Sequence, residues 1–235
     1  MFTFEETSIF SGDGSKLAVY SWENSQSSNS PLCLIVHGMA EYGLRYSRFV
    51  KDMEGTDWSF AAFDMRGHGS SDGARMRMAS LTEPLDDLHS VLQSLRGQLQ
   101  RKRRMVLLGH SFGGLVATLY AALYPDELSG LILSSPALGM HFLFPFMDKF
   151  IDLLHFLLPS AVIPKPVQPH KLTHNPQVQS DYISDPNIYK FAGVDFLFHM
   201  HEGMKYVERN VRHVGVPLLM ISPPNFPAFG PISMT

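Results

Sequence analysis

The pentapeptide Gly109-His110-Ser111-Phe112-Gly113 joins an apolar run at residues 105–108 to a second apolar run at 113–123. A serine in a Gly-x-Ser-x-Gly pattern lies on a tight turn from a strand into a helix, and apolar runs on both sides supply that setting. Side chains two residues before and after the serine would crowd such a turn, and the two glycines relieve the crowding. The sequence therefore predicts an exposed Ser111 hydroxyl in the position of a catalytic nucleophile.

Strand-like and helix-like segments alternate from about residue 17 onward, which is typical of a parallel sheet wrapped by helices. The runs that we interpret as strands are 16–22, 32–36, 60–64, 105–108, 131–133 and 216–221. Leucines at helical spacing over 81–99 predict an amphipathic crossover helix, which Ser80 or Thr82 can cap. The expected fold class is α/β, with a mostly parallel sheet and helices on both of its faces.

The alternation of strands and helices lapses between residues 139 and 212. This range is rich first in Phe and Leu and then in Pro, so we interpret it as an inserted cap and not as a second domain. The predicted organisation is a core at 1–138, a cap or lid at 139–212, a last core strand at 213–222 and an atypical proline-rich tail at 223–235. Charged residues within the Phe-rich run argue against a membrane span. A lid that faces a lipid substrate or a membrane surface fits the pattern, and so does a cap helix that only packs onto the core.

The composition limits the class of protein. The chain has 235 residues, is 45% hydrophobic and carries a formal charge of −3, so it offers no basic field for nucleic acid. We interpret the one dense cationic run, at 101–104, as a solvated turn.

Cys33, the single cysteine, lies in an apolar run, which predicts a buried thiol and no intrachain disulfide. The N-terminus lacks the pattern of a secretory signal, so we expect a cytoplasmic protein, with peripheral contact to membranes through the cap as an option.

The loop His37-Gly38-Met39 follows the apolar run at 32–36. Because the carboxyl ends of parallel strands meet at one edge of a sheet, this loop is expected to lie near the serine turn. A helix that begins after Ser111 points its first N–H groups at the oxyanion that forms when an acyl carbonyl is attacked. The backbone N–H groups of Met39 and Phe112 are therefore the predicted oxyanion donors.

Three motifs occur in a characteristic order and spacing. They are His37-Gly38-Met39-Ala40-Glu41-Tyr42-Gly43-Leu44-Arg45-Tyr46, Asp64-Met65-Arg66-Gly67-His68-Gly69-Ser70-Ser71-Asp72-Gly73 and Gly109-His110-Ser111-Phe112-Gly113-Gly114. Together they resemble the monoacylglycerol lipase and lysophospholipase branch of the α/β-hydrolases, with a domain of the serine aminopeptidase S33 type, over about residues 5–222. The resemblance implies a serine esterase that acts on one acyl chain of a glycerolipid, with a helical cap over an apolar tunnel and no cofactor. It also implies that Met39 is an oxyanion residue and Ser111 the nucleophile.

The sequence departs from this family pattern at Ser222. Family members continue into a Gly-x-x-Asp turn that provides the triad aspartate, and later into a loop that provides the triad histidine. Here the chain reads Ser222-Pro223-Pro224-Asn225-Phe226-Pro227, and no Asp, Glu or His follows His213. We therefore assign neither the triad Asp nor the triad His, and we expect the last strands and helices of the fold to be missing.

Residues further upstream are weak substitutes for the missing acid and base. The candidates are Asp195, His199, His201 and His213. None is expected to follow a strand end that faces Ser111, and a general base must reach hydrogen-bond distance of the serine oxygen. We interpret His68 and His110 as loop-stabilising residues. Paired histidines at 199 and 201, or His170 with His174, could suggest a metal, but without a convergent acid we interpret them as solvated or core side chains and expect no metal site.

These observations leave several explanations open. A serine without its acid and base retains only the contributions of binding and the oxyanion hole, a loss of about 10⁴- to 10⁶-fold in rate, so impaired activity is expected. The chain could be a fragment or a mistranslated end of an ordinary hydrolase, and the abrupt change at Ser222 favours this explanation. It could also be a natural short form, or a chain that completes its site with a partner.

The alternative function is a catalytically silent protein that binds an acyl ligand or a partner, and a third is peptide or haloalkane hydrolysis. An exposed apolar edge at 216–221 predicts self-association.

Overall fold

A computed structural model describes residues 1–25, 30–98, 103–139, 147–164, 169–171, 173–211 and 214–222. The strands are β1 (Phe2–Phe10), β2 (Lys16–Asn24), β3 (Leu32–Val36), β4 (Ser59–Phe63), β5 (Met105–His110), β6 (Gly130–Ser134), β7 (Val162–Pro164), β8 (Phe191–Gly193) and β9 (Leu218–Ile221). The helices are α1 (Ser47–Asp52), α2 (Thr82–Gln98), α3 (Phe112–Leu123), α4 (Met147–Leu157), α5 (Pro176–Ser184) and α6 (Val194–Asn210). Short 3₁₀ turns lie at Gly43–Tyr46, Pro125–Glu127 and Pro169–Lys171.

The central sheet has seven strands in the order β1-β2-β4-β3-β5-β6-β9, and β3, β4, β5, β6 and β9 run parallel to one another. Every residue of β3 and β4 is buried, as expected for parallel strands covered on both faces. The register pairs Val36 with Gly109 and His110 with Ser134. The loops that leave these strands therefore start at the same edge of the sheet, and the predicted mostly parallel α/β fold is confirmed.

Strand β1 was not predicted from the sequence, which placed the first strand at 16–22. It pairs antiparallel with β2 along its whole length, from Phe2 opposite Asn24 to Phe10 opposite Lys16. Because β1 is the edge strand of the sheet, most of its residues are exposed, and Glu5 and Glu6 interrupt any apolar pattern. A solvated edge strand lacks the buried, apolar signal by which the inner strands are found.

The two faces of the sheet bury different residues of the same strand. Leu32, Leu34 and Val36 of β3 pack in a cluster with α2 and α3, whereas Cys33 and Ile35 pack in a second cluster with α1. The observed α2 differs from the predicted 81–99 by one residue at its start, and residue 99 lies outside the described ranges. Helix α3 is almost entirely buried, so it forms the centre of the larger cluster.

The described parts of residues 139–212 form α4, α5, α6 and a small antiparallel sheet of β7 and β8. Helix α6 packs on the larger cluster of the core through Phe196, Met200 and Met204, each 6% exposed or less. Helix α4 contacts α6 and leaves large apolar side chains in solvent, with Phe156 82% exposed. None of the helices in the described residues has both the length and the apolar character needed to cross a membrane.

Strand β9 is shorter than predicted. It covers Leu218–Ile221 and not 216–221, because Pro217 has no backbone N–H to donate to a neighbouring strand. It pairs with β6 at the end of the sheet, and Leu219 and Ile221 are more than half exposed there. The predicted tail at 223–235 lies outside the described residues.

One charged residue is placed differently from the prediction. Arg103, expected in a solvated turn, is buried, pairs with Glu23 at 3.0 Å and donates to the carbonyl of Ser30. Its guanidinium can reach these partners because residue 103 lies just before β5, in the middle of the sheet. The neighbouring residues 101 and 102 lie outside the described ranges, and Arg104 is exposed. The predicted burial of Cys33 is confirmed, and burial raises the pKa of its thiol to about 12.

Candidate active site

The turn between β5 and α3 holds Ser111 in an unusual backbone conformation, with φ +51° and ψ −116°. A non-glycine residue at such angles costs about 1–3 kcal/mol and persists only where its surroundings impose it. The flanking glycines permit the close packing around this turn: a Cβ on Gly109 would lie 2.6 Å from the carbonyl oxygen of Gly113, and one on Gly113 would lie 2.1 Å from that of Val36. The turn therefore places a partly exposed Ser111 directly after a mostly buried strand.

The same close packing brings the two predicted oxyanion elements together. The start of α3 at Phe112 and Gly113 abuts the carbonyl groups of Val36 and His37 at the end of β3. On the other side, a Cβ on Gly38 would lie 3.3 Å from the Cβ of Ser111. The loop after β3, the first turn of α3 and the serine are thus immediate neighbours.

The loop after β3, residues 38–46, is held by buried side chains. Glu41 accepts a 2.6 Å hydrogen bond from the N–H of Gly38, and it also binds Arg45 at 2.5 Å and the hydroxyl of Tyr46 at 2.9 Å. Burial opposes the ionisation of Glu41, but its polar neighbours His110, His37 and Arg45, together with the hydrogen bond from Gly38, outweigh it and hold its pKa below the ordinary value. Glu41 was not predicted as a site residue, although an Arg four residues later is a signal of a partnered carboxylate.

Two buried histidines complete the framework of this loop. His37 Nε2 accepts from the N–H of Met65 at 2.9 Å while its Nδ1 lies 2.8 Å from the carbonyl oxygen of Gly38. His68 Nε2 accepts from the N–H of Ala40 at 3.2 Å, and its Nδ1 lies 3.0 Å from the carbonyl oxygen of Arg66. Both rings are therefore neutral, with the proton on Nδ1.

The pKa values of these histidines agree with neutral rings. Burial lowers the pKa of His37, and burial together with the neighbouring His37 lowers the pKa of His68 to about 3. Because both nitrogens of each ring are engaged by backbone groups, neither ring has a free nitrogen to accept the serine proton. The contacts of His68 agree with its interpretation as a loop-stabilising residue.

His110 lies beside Gly38 of the loop after β3, and it lines a neighbouring cavity. The Nδ1 of His110 is 3.0 Å from the carbonyl oxygen of Ser134. This cavity has a volume of about 370 Å³, and its other lining residues are Glu41, Arg45, Tyr46, Phe49, Leu108, Ile132, Ser134 and Ile221. The cavity therefore touches the loop after β3 and the ends of β5, β6 and β9.

Three of the four upstream acid and base candidates, Asp195, His199 and His201, lie on α6. Asp195 accepts from Arg77 Nε at 2.6 Å, and the ring of His199 contacts the ring of His155 on α4. His201 is buried, and His213 lies outside the described residues. Helix α6 does approach the serine turn, but through Phe196, whose ring centre is 4.8 Å from that of Phe112.

The histidines weighed as metal ligands do not converge with acidic residues. His170 and His174 are exposed. No group of three or more His, Cys, Asp or Glu side chains that could hold a metal ion occurs within the ranges that the structure describes.

The chain is similar to known proteins in both sequence and fold. A family model described as serine aminopeptidase, S33 matches residues 27–223. The chain is 28% identical over 181 residues to a monoacylglycerol lipase of Mycolicibacterium smegmatis, an alignment that covers 77% of this chain and 64% of that relative. It is also 28% identical over 217 residues to the human monoglyceride lipase, covering 91% of this chain and 70% of the human protein.

Solved structures show the same fold. A soluble variant of the monoglyceride lipase of Saccharomyces cerevisiae, in complex with a substrate analogue, superposes with a TM-score of 0.76 at 20% identity, covering 94% of this chain and 76% of the yeast chain. At that identity the likeness concerns the fold alone. Because the family model matches well over half of the residues, the chain belongs to the serine aminopeptidase S33 family and adopts an α/β-hydrolase fold.

Proposed function

We propose that the protein is a serine carboxylic-ester hydrolase of the monoacylglycerol lipase and lysophospholipase type. In the proposed reaction, Ser111 Oγ attacks the ester carbonyl of a lipid with one acyl chain, the glycerol-side oxygen leaves with a proton, and water then cleaves the acyl-enzyme. The observation that carries the proposal is the strained backbone of Ser111 between two glycines that cannot be replaced without a clash. The names of the mycobacterial and human relatives support the class of substrate.

The oxyanion of the tetrahedral intermediate is proposed to bind the N–H groups of Met39 and Phe112. Phe112 is the first residue of α3, where backbone N–H groups have no partner within the helix and the helix dipole favours negative charge. Met39 belongs to the loop that packs against Ser111 through Gly38. The reaction needs no cofactor, because the serine and water supply both nucleophiles.

Removal of the proton from Ser111 is the step for which the described residues provide the least support. Deprotonation of Ser111 requires a free basic nitrogen or carboxylate within hydrogen-bond reach. His37 and His68 are engaged at both ring nitrogens, and Asp195 is paired with Arg77. We therefore infer that hydrolysis is impaired, because none of these three side chains is free to act as the base. The same observation favours the second candidate function, a catalytically silent protein that binds an acyl ligand or a partner.

We also propose that residues 139–212 act as a cap that contacts a lipid surface. Large apolar side chains on and after α4 are more than half exposed, and they are Phe150, Leu153, Phe156, Leu157, Leu158 and Val162. We call this set the α4 surface. An exposed apolar patch of this kind is typical of a face that binds a membrane or a partner.

Self-association through β9 is a separate proposal, supported by the exposure of Leu219 and Ile221 at the end of the sheet.

The proposed function is tested by exposing the purified protein to a fluorophosphonate probe and measuring its intact mass, with Ser111→Ala as the control. Rapid addition that requires Ser111 would support an activated serine, and hydrolysis of a monoacylglycerol would then be assayed. A folded sample that gains no mass would contradict the hydrolase proposal for this chain. Saturable binding of a fatty acid by that same sample would support the silent, acyl-binding alternative.

A further inference from the structure

A short segment of the proposed cap contacts the loop that carries Met39. This segment, residues 182–189, runs from the end of α5 toward β8, and we call it the strap. Its partner is the loop after β3, residues 38–46. The two are far apart in sequence, yet they meet at a backbone hydrogen bond, a side-chain hydrogen bond and a cation–π contact.

The backbone contact is at Ala40, the residue after Met39. Ala40 has φ +66°, a conformation that non-glycine residues rarely adopt, so it requires support on both sides. Its N–H donates to His68 in the core, and its carbonyl oxygen accepts from the N–H of Tyr189 in the strap at 3.1 Å. One side of this strained residue is thus held by the core and the other by the strap.

The side-chain contacts extend this attachment along the loop. The hydroxyl of Tyr42 donates to Asp185 Oδ2 at 2.7 Å. Burial, with a smaller contribution from Asp185, raises the pKa of Tyr42 to about 12, so the hydroxyl keeps its proton at neutral pH. The guanidinium of Arg45 lies 5.1 Å from the ring centre of Tyr182, and Arg45 also pairs with Glu41.

These contacts form a continuous connection from the strap to the N–H groups beside the serine. Glu41 binds Arg45 and Tyr46 and also accepts from the N–H of Gly38. We propose that the strap positions the loop after β3, which carries the N–H of Met39. Asp185, through Tyr42, is then a positioning residue of the site. When the strap moves away from the core, Ala40 loses one support and Tyr42 its acceptor, and the N–H of Met39 loses its fixed direction. The role of that N–H rests on the proposed function, whereas the attachment of the strap does not.

The attachment is tested by hydrogen–deuterium exchange of peptides that cover residues 36–46, relative to peptides that cover β5 in the same sample. The variants are Tyr42→Phe and Asp185→Asn, which remove one donor and weaken one acceptor. The matched controls are Tyr206→Phe, at an exposed tyrosine of α6, and Asp181→Asn, at an exposed aspartate of α5 that accepts from Gln177. We expect exchange in the loop to accelerate on the order of tenfold in the first two variants, since a hydrogen bond to a carboxylate is lost. The controls should stay within about twofold of the parent.

The double variant separates a direct pair from two independent effects. If Tyr42 and Asp185 act on each other, the double variant exchanges no faster than either single variant. Loop exchange that stays at the parental rate in both single variants would overturn the proposal, and so would fully additive effects. Normalising to β5 keeps the result interpretable if a variant lowers global stability, because global opening accelerates both regions together.

A second measurement separates this inference from the proposed function. If the parent protein is labelled at Ser111 by a fluorophosphonate, Tyr42→Phe and Asp185→Asn should slow labelling on the order of tenfold, because oxyanion donors stabilise the transition state. Labelling at the parental rate in both variants would overturn the positioning role. If the parent is not labelled at all, the hydrolase proposal fails, and the exchange experiment alone then supports or overturns the attachment of the strap.

Discussion

The serine turn and the α4 surface lie in the same chain but are built in opposite ways. Around Ser111, glycines 38, 109 and 113 lie within close contact of neighbouring atoms, and buried polar groups such as Glu41 and His68 are hydrogen-bonded. On α4, Phe150 and Phe156 lie largely in solvent. The comparison indicates that the first region depends on exact distances within the core, whereas the second depends only on how much apolar area it exposes. Substitutions should therefore change stability in the first region and surface binding in the second.

The largest effect is expected from Gly113→Ala. The new Cβ would lie 2.1 Å from the carbonyl oxygen of Val36, and backbone atoms of a central strand cannot move aside cheaply. We expect the free energy of unfolding to fall by about 3 kcal/mol or more, as measured by urea denaturation. Gly97→Ala is the matched control, because its Cβ meets nothing within 4 Å, and there we expect a gain of about 0.5–1 kcal/mol. Equal midpoints for the two variants would contradict the close packing described for the serine turn.

The next effect concerns pH. His68 has its pKa lowered to about 3 in the folded protein, mainly by burial, whereas an unfolded histidine titrates near about 6.5. Between these values the unfolded chain binds the additional proton, so this contribution to stability is complete above about pH 6.5 and is lost as the pH falls toward 3. We expect the free energy of unfolding to drop by about 2–3 kcal/mol from this group between pH 7.5 and pH 4.5.

His68→Gln provides the comparison for the pH effect. Its amide oxygen can accept from the N–H of Ala40, but it does not titrate. Urea denaturation of the variant should show a smaller loss of stability over the same pH interval, by about 2–3 kcal/mol. A variant that loses as much stability as the parent would show that His68 is not held neutral in the fold.

A smaller effect is expected at Glu41. The Glu41 carboxylate pairs with Arg45 and accepts hydrogen bonds from Gly38 and Tyr46. Glu41→Gln keeps the shape of this side chain but removes its negative charge. We expect a loss of about 1–2 kcal/mol in the free energy of unfolding. The ion pair with Arg45 is lost, and the NH₂ group of the glutamine faces a hydrogen-bond donor where the carboxylate had an acceptor oxygen. Glu54→Gln, in the exposed turn after α1, is the control and should change stability by less than about 0.5 kcal/mol. A parental urea midpoint for Glu41→Gln would argue against the described network.

The smallest effect on stability, and the one that distinguishes the second region, is expected from Phe156→Ser. This side chain is 82% exposed, so the free energy of unfolding should change by less than about 0.5 kcal/mol. Binding to vesicles that contain monoacylglycerol should weaken about 5- to 10-fold in a flotation assay, because apolar area that enters the lipid is lost. Phe10→Ser, at a residue 69% exposed on β1, is the control and should not weaken binding. Equal losses in both variants would contradict a lipid-binding role for the α4 surface.

Much of the core could be predicted from local sequence, because each local signal has a local physical cause. The buried strands are apolar runs of the right length, α2 has its leucines at helical spacing, and the glycines around Ser111 reflect steric crowding within a few residues. Strand β1 was missed because an exposed edge strand carries no burial pattern. The site of Arg103 was also missed, because its burial depends on Glu23 and Ser30, which are about 80 and 73 residues away in sequence.

The α/β class, the turn at Ser111 and membership of a hydrolase family follow from local sequence, since these depend on periodicity and on motifs whose residues are neighbours in the chain. The folded arrangement is needed to establish which nitrogens of His37 and His68 are engaged, what Glu41 binds, and that Tyr189 and Asp185 contact the loop beside the serine. Tyr42 and Asp185 are 143 positions apart, and neither residue type predicts the other. Hydrogen bonds of this kind form between elements that the fold brings together, so no local pattern in the chain encodes them.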